Sequence, residues 1–236
     1  MTQAHVTTPA RTVEAVHDRL TDTVHEVKPR LRGWLHAATA PLAFLSFLVV
    51  LVIAESSRVR IGVSVFMVSA LLLFTTSAAY HTGTWKPRHR QMLKRLDHAN
   101  IFVLIAGSST PFAMLLLPAE HAAVMLCMMW GGAALGVAFK IFWIDAPRWL
   151  YVPLYVLLGW APIVFAGDFL AAGETTVLLL IATGGILYSI GAVVYGLRWP
   201  NPSPAYFGFH EVFHSLTIAA IAVHYVGVSL LAYGQR

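Results

Sequence analysis

The chain has 236 residues, of which 58% are hydrophobic and 11% are charged. Its mean hydropathy of +0.69 excludes an ordinary soluble domain, and its length suffices for about seven membrane spans. The formal net charge of +5 is typical of a membrane protein whose basic residues set its topology and attract anionic lipid, so no nucleic-acid partner is expected. The chain has a single cysteine, Cys127, which excludes an intrachain disulfide.

Residues 1–27 form a polar leading segment that lacks the pattern of a cleavable signal peptide. Apolar residues recur in it at intervals of three or four between charged residues: Val13, Val16, Leu20, Val24 and Val27. This spacing predicts either an amphipathic helix on the membrane surface or a disordered tail. We therefore divide the chain into this segment, predicted to be cytoplasmic, and a transmembrane domain over residues 28–236.

Apolar runs between charged residues or Pro/Gly breaks predict an all-α integral membrane fold with seven transmembrane helices. The runs cover residues 34–54, 61–82, 97–117, 121–142, 149–166, 175–196 and 208–231. Pro111, Pro153 and Pro162 lie within these runs, and we expect each to kink its helix.

Lysine and arginine residues predict the orientation of the seven spans. Of the 16 such residues, all except Arg58, Arg60 and Arg236 fall on the side of the N-terminus. The positive-inside rule then places the N-terminus in the cytoplasm and the C-terminus outside.

This topology brings polar residues of three spans to one leaflet. The second span ends with Ser77 and His81, the third begins at Asp97, and the seventh begins with His210 and His214. Residues four apart share a helix face, so these side chains can lie in one layer. Because imidazole is costly to bury in hydrocarbon unless something binds it, we predict a metal ion bound by the three histidines.

The ligand set predicts the metal and its role. Three neutral histidines favour Zn²⁺ over calcium or magnesium, and three protein ligands leave a fourth position for water, which is typical of a catalytic zinc site. Asp97 is predicted to orient a ligand, to act as a general base, or both. Ser77 is predicted to donate a hydrogen bond to the water, to Asp97 or to a substrate oxyanion.

Each of these residues also has a simpler structural explanation. Ser77 could bond a backbone carbonyl one turn earlier, and Asp97 could pair with Lys94 or Arg95 at the membrane interface. Three further histidines in or near the spans are not predicted to be ligands: His36, His98 and His224.

Residues 210–214 match HExxH, the helical signature in which two histidines bind zinc and a glutamate activates water. A membrane metalloprotease is therefore an alternative. It leaves Ser77, His81 and Asp97 without a role, and in a helix Glu211 lies about 100° from His210. We prefer the site that His81 completes.

The motifs together resemble the hemolysin III family of bacterial membrane proteins, relatives of the progestin and adipoQ receptors and, more distantly, of alkaline ceramidases. The resemblance covers nearly all of the chain from about residue 28. It rests on residues 28–36, 77–81, 96–99, 105–112 and 209–214. Ser108 and Ser109 depart from the family pattern, in which Thr and Tyr are common at these positions.

The resemblance implies seven spans with the N-terminus inside a bacterial plasma membrane, and zinc on His81, His210 and His214. It also places Ser77 and Asp97 in the same site. The leading hypothesis is a zinc-dependent hydrolase of lipid amide bonds, linked by the resemblance to membrane homeostasis, with membrane lipids as partners and substrate. The alternatives are a non-enzymatic, receptor-like regulator with structural zinc and, ranked lower, a pore-forming cytolysin. The sequence alone therefore does not decide whether the protein is an enzyme.

Overall fold

The computed structural model describes residues 31–234 and shows a bundle of seven helices. They are α1 (Trp34–Ile53), α2 (Ser57–Thr82), α3 (Pro87–Leu116), α4 (Ala119–Phe142), α5 (Arg148–Ala171), α6 (Thr175–Leu197) and α7 (Phe209–Gly234). Each is long and apolar enough to cross a membrane, and the range 31–234 contains no strand. The predicted all-α fold with seven transmembrane helices is confirmed, whereas the leading segment over residues 1–27 lies outside the described residues.

Two helix boundaries differ from the predicted spans by more than four residues. Helix α3 begins at Pro87 rather than at residue 97, because proline suits the first position of a helix and the exposed basic residues after it continue the helix beyond the apolar run. Asp97 therefore lies well inside α3 and not at its start. Helix α5 continues to Ala171 rather than ending at residue 166.

Prolines affect the helices unequally. In α5 the regular helix ends at Trp160, and the 3-10 segment Ala161–Phe165, which contains Pro162, precedes a short α-helix, Ala166–Ala171. The missing N–H of proline accounts for this break. Pro111 and Pro153 lie within uninterrupted α-helices.

Helix α3 lies at the centre of the bundle and contacts α2, α4, α5 and α7. Small residues permit its close packing. A Cβ on Gly107 would clash with Ser69 of α2, and a Cβ on Gly136 of α4 would clash with Phe102 of α3. Consecutive helices pack closely except around α5, whose contacts with α4 and α6 are sparse.

The outer surface of the bundle suits a lipid environment. Large apolar side chains face outward, among them Leu135 and Phe142, which are 75% and 88% exposed. Exposed tryptophans cluster at helix ends or in adjoining loops on the side where α1 begins, hereafter the N-terminal side: Trp34, Trp85, Trp143, Trp149 and Trp199. This arrangement is typical of an aromatic belt at a membrane–water interface.

Candidate metal centre

Three histidines meet on the N-terminal side of the bundle. His81 lies in the last turn of α2, and His210 and His214 lie in the first two turns of α7. One ring nitrogen from each residue lies within 4.8 Å of the other two. The Nε2 atoms of His81 and His210 are 3.2 Å apart. His81 and His214 are buried, and His210 is partly buried.

The separation of His81 and His210 suits two ligands of one zinc ion. Two nitrogen ligands of a tetrahedral zinc, each about 2.0–2.1 Å from the ion, are roughly 3.3 Å apart. The His81–His210 pair has this separation. Within residues 31–234 no other group of His, Cys, Asp and Glu brings three such ligand atoms together. The donor set, made only of imidazoles, is one that zinc favours over calcium and magnesium.

Glu211 fixes the first turn of α7. It is completely buried, its Oε2 accepts a hydrogen bond of 2.8 Å from the backbone N–H of Gly208, and its Oε1 accepts one of 3.1 Å from Arg32 Nε. A glutamate at the third helical position that reaches back to the cap residue is half of a capping box. Both carboxylate oxygens are thus engaged at the helix start, which is not the role that the HExxH interpretation requires.

Replacing Glu211 with glutamine tests this structural role. We expect the variant to retain bound metal but to lose about 1–3 kcal/mol of stability, because a charge-assisted hydrogen bond is weakened at a buried position. Thermal unfolding in detergent and metal content by mass spectrometry check both parts. Peptide cleavage by the unmodified protein that vanishes in Glu211→Gln would support the protease interpretation instead.

Asp97 lies beside the histidines. Its side chain is buried, and its Oδ2 is 3.8 Å from Nε2 of His81. Lys94, one of the two expected interfacial partners, pairs instead with Asp145 at 3.4 Å. Nε of the other, Arg95, has no hydrogen-bond partner within the described residues. The acidic group is therefore placed to act on the histidine cluster.

Ser77 lies one turn before His81 and is completely buried. Its Oγ bonds no backbone carbonyl, and the group with which it interacts is the carboxylate of Asp97. Other hydroxyls of α2 do bond backbone carbonyls of the preceding turn: Ser69 to Phe66, Thr75 to Leu71 and Thr82 to Ala78. The simpler explanation does not hold for Ser77, whose hydroxyl can serve a ligand.

His36 lies at the site, although its sequence context did not predict it there. It lies in the first turn of α1, is buried, and stacks on His214 with ring centroids 3.9 Å apart and an interplanar angle of 13°. Neither of its ring nitrogens has a hydrogen-bond partner in the described part of the chain. The predicted topology places His36 on the same side of the membrane as His81, which could have suggested a role at the site. The local sequence does not show that α1 packs against α7.

Variants of His36 separate ring packing from nitrogen chemistry. We expect His36→Ala to weaken metal binding about 10–100-fold, the usual range for a residue that supports a ligand. His36→Phe retains an aromatic face against His214, so its affinity should stay within a few-fold of the unmodified protein. Competition with a zinc chelator measures both. Equal losses in the two variants would instead assign the effect to the nitrogens of His36.

The other two histidines of the spans, His98 and His224, lie outside the cluster. His98 uses Nδ1 with the Lys94 carbonyl at 2.8 Å and Nε2 with the Tyr195 hydroxyl at 3.3 Å. His224 lies far along α7, with Nε2 3.2 Å from the Ile181 carbonyl.

A cavity of about 290 Å³ starts at the cluster and extends into the bundle between α3, α5, α6 and α7. Ser77, Asp97, His210 and His214 line one end. Most of the remaining wall is apolar, with Leu73, Ile101, Leu104, Ile105, Phe112, Met125, Val152, Phe169, Leu178, Ile181 and Phe213. The wall includes Ile163 of α5, which is 62% exposed, so the cavity reaches the surface beside this loosely packed helix.

Known proteins are similar to this sequence over most of its length. The family described as Haemolysin-III related matches residues 24–225. The Hemolysin-3 homolog of Bacillus subtilis (strain 168) is 32% identical over 162 residues, which cover 69% of this chain and 73% of that protein. Hemolysin-3 of Bacillus cereus is 27% identical, covering 75% and 83%. The adiponectin receptor protein of Drosophila melanogaster is 27% identical over 73% of this chain and 43% of its own length.

Proposed function

The chain belongs to the haemolysin-III related family of multi-pass membrane proteins, and on that premise we propose that it is a zinc-dependent hydrolase of lipid amide bonds in a bacterial plasma membrane. One observation carries the proposal. The three-histidine cluster lies at one end of a cavity whose remaining wall is largely apolar, and two of its imidazoles line that end together with a buried carboxylate and a buried hydroxyl.

His81, His210 and His214 would hold the metal. A zinc ion with three protein ligands supplies an activated water and polarises a carbonyl group. In a poorly polarisable surrounding a dication also needs negative charge nearby, which Asp97 would supply, since its Oδ2 is 3.8 Å from Nε2 of His81.

Asp97 and Ser77 complete the chemistry. Asp97 is the only carboxylate on the cavity wall within the described residues, so it is the group that takes a proton from the attacking water and returns it to the leaving nitrogen. The Ser77 hydroxyl lies beside Asp97, bonds no backbone carbonyl, and can turn to donate to the carbonyl oxygen of the substrate as negative charge develops on it.

The apolar cavity favours a lipid over a peptide as substrate. A hydrocarbon chain loses nothing by leaving water for such walls, whereas each backbone N–H and C=O of a peptide would lack a partner there. The surface opening beside α5 faces the region that lipid occupies in a spanning bundle. Substrate can therefore enter sideways from the membrane.

Purified protein in nanodiscs tests the proposal. We expect one zinc ion per chain and release of fatty acid from an N-acyl amide lipid, measured by mass spectrometry, with both lost after chelation and restored by added zinc. Absence of bound zinc would overturn the proposal.

Zinc without turnover would favour a second candidate, a receptor-like regulator in which the metal ties α2 to α7. One observation supports it. These two helices contact each other little apart from the histidine cluster, so a bound ion would be a major connection between them.

A further inference from the structure

A second group of polar side chains lies deeper in the same cavity, and we name it the deep polar patch. It consists of Ser108 and Ser109 of α3, Tyr188 of α6 and His224 of α7. His224 follows His214 by ten residues on α7, which corresponds to about 15 Å along the helix axis. The patch interrupts a wall that is otherwise mostly apolar at this depth.

The hydrogen bonding of His224 defines what its free nitrogen can do. The side chain is buried, and its ring packs against Phe112 and Tyr188 with centroids 5.6 and 5.7 Å away. Nε2 is 3.2 Å from the carbonyl of Ile181, which can only accept, so Nε2 carries the hydrogen of the neutral ring. Nδ1 is then an acceptor, and it is buried without a hydrogen-bond partner within residues 31–234.

The other members of the patch complement this acceptor. The Tyr188 hydroxyl is buried and has no hydrogen-bond partner in the described range, so its hydrogen can be donated. The Ser108 and Ser109 hydroxyls both donate to the carbonyl of Ile105, at 3.3 and 2.8 Å, and their oxygens can still accept. Native proteins give buried polar groups of this kind a partner, which here would come from a ligand or from water.

The patch suits a ligand group that both donates and accepts, and a hydroxyl is the smallest such group that a hydrocarbon tail can carry. A ketone or carboxylate only accepts, so it cannot satisfy Nδ1 of His224, and an ammonium only donates, so it cannot accept from Tyr188. A hydroxyl does both. We propose that the deep polar patch binds a hydroxyl group on the hydrocarbon tail of the substrate, so that the protein selects mid-chain hydroxylated acyl chains.

The depth of the patch gives the position of that hydroxyl. This step rests on the proposed function, because it places the acyl carbonyl at the histidine cluster. Each C–C bond of about 1.5 Å advances an extended chain by roughly 1.25 Å, so a depth of about 15 Å corresponds to about the twelfth carbon.

Binding measurements on the full chain in nanodiscs test the proposal without requiring turnover. The probes are three saturated eighteen-carbon N-acyl amides: unsubstituted, hydroxylated at about the twelfth carbon, and hydroxylated next to the carbonyl. We expect the mid-chain hydroxyl to tighten binding about fivefold to tenfold, the effect of one or two net hydrogen bonds, and the hydroxyl beside the carbonyl to give no such gain.

Two variants and a matched control assign the gain to the patch. Tyr188→Phe removes one hydroxyl group, and His224→Leu removes the acceptor; each should abolish the preference while the unsubstituted amide still binds. Tyr225→Phe is the control, because the Tyr225 hydroxyl donates to the Ser46 carbonyl at 2.9 Å and does not line the cavity. It should keep the full preference.

Equal binding of the unsubstituted and mid-chain hydroxylated amides, or failure of any acyl chain to bind, overturns the proposal. So does a preference that survives in both patch variants, since water would then be the occupant. The same measurements on His81→Ala separate the two proposals. A preference that persists there, in a protein without zinc or hydrolysis at the histidine cluster, supports the hydroxyl site even if the proposed reaction fails.

Discussion

Replacing His81 with alanine is expected to reduce bound zinc from one ion per chain to a trace and to abolish lipid hydrolysis. His81 is the only ligand in the cluster from α2, and its Nε2 lies 3.2 Å from that of His210. Loss of a residue that merely supports a ligand weakens metal binding about 10–100-fold, so loss of a ligand itself should exceed that range. His210→Ala and His214→Ala should give the same result.

Metal content and fatty-acid release are measured on the same preparations. His121→Ala is the matched control, because this exposed histidine pairs with Asp168 at 2.8 Å and lies outside the cluster. It should leave both quantities unchanged. The variants should also unfold at a lower temperature than the zinc-loaded protein and at about the temperature of the chelated protein, because bound metal stabilises only the folded state. Full zinc content in all three single variants would contradict a shared ion.

Hydropathy was sufficient to predict seven membrane helices because each membrane helix must satisfy its own backbone and expose apolar side chains to lipid. The same local logic brought His210 and His214 together, since their four-residue spacing fixes a common face. Adding His81 and Asp97 needed one further step, the alternation of helix directions across a membrane. That step depends only on the order of the spans along the chain. The predicted start of α3 was wrong, but this error did not affect it.

The hydrophobic pattern could not predict which helices lie side by side. His36 stacks on His214 only because α1 lies against α7, a neighbour relation that the hydrophobic pattern of neither helix specifies. Glu211 illustrates a different gap. Its partner Gly208 is local and could have suggested a helix cap, but its ion pair with Arg32 joins positions at opposite ends of the chain. The deep polar patch likewise needs α3, α6 and α7 assembled.

Asp97→Asn is expected to lower the rate of amide hydrolysis about 10²–10⁴-fold at saturating zinc, the usual contribution of a positioned proton-transfer group. Asparagine has nearly the same shape and can still bond its neighbours, but it cannot accept and return a proton. The residue lies 3.8 Å from His81 and does not belong to the three-histidine cluster, so the variant should still bind one zinc ion per chain. Its zinc affinity should fall by no more than about 10–100-fold.

Comparison with a second aspartate separates the effect of the position of the Asp97 carboxylate from the effect of its charge. Asp145→Asn removes the same charge from an exposed site, where the side chain pairs with Lys94 at 3.4 Å, and it should leave turnover unchanged. Asp97→Glu restores a carboxylate at a shifted position and should recover part of the rate. Unaltered hydrolysis in Asp97→Asn would exclude proton transfer by this residue. If Asp97→Asn fails to bind zinc even when the ion is in large excess, Asp97 would instead be a ligand of the metal, because only a directly bound group is indispensable under that condition.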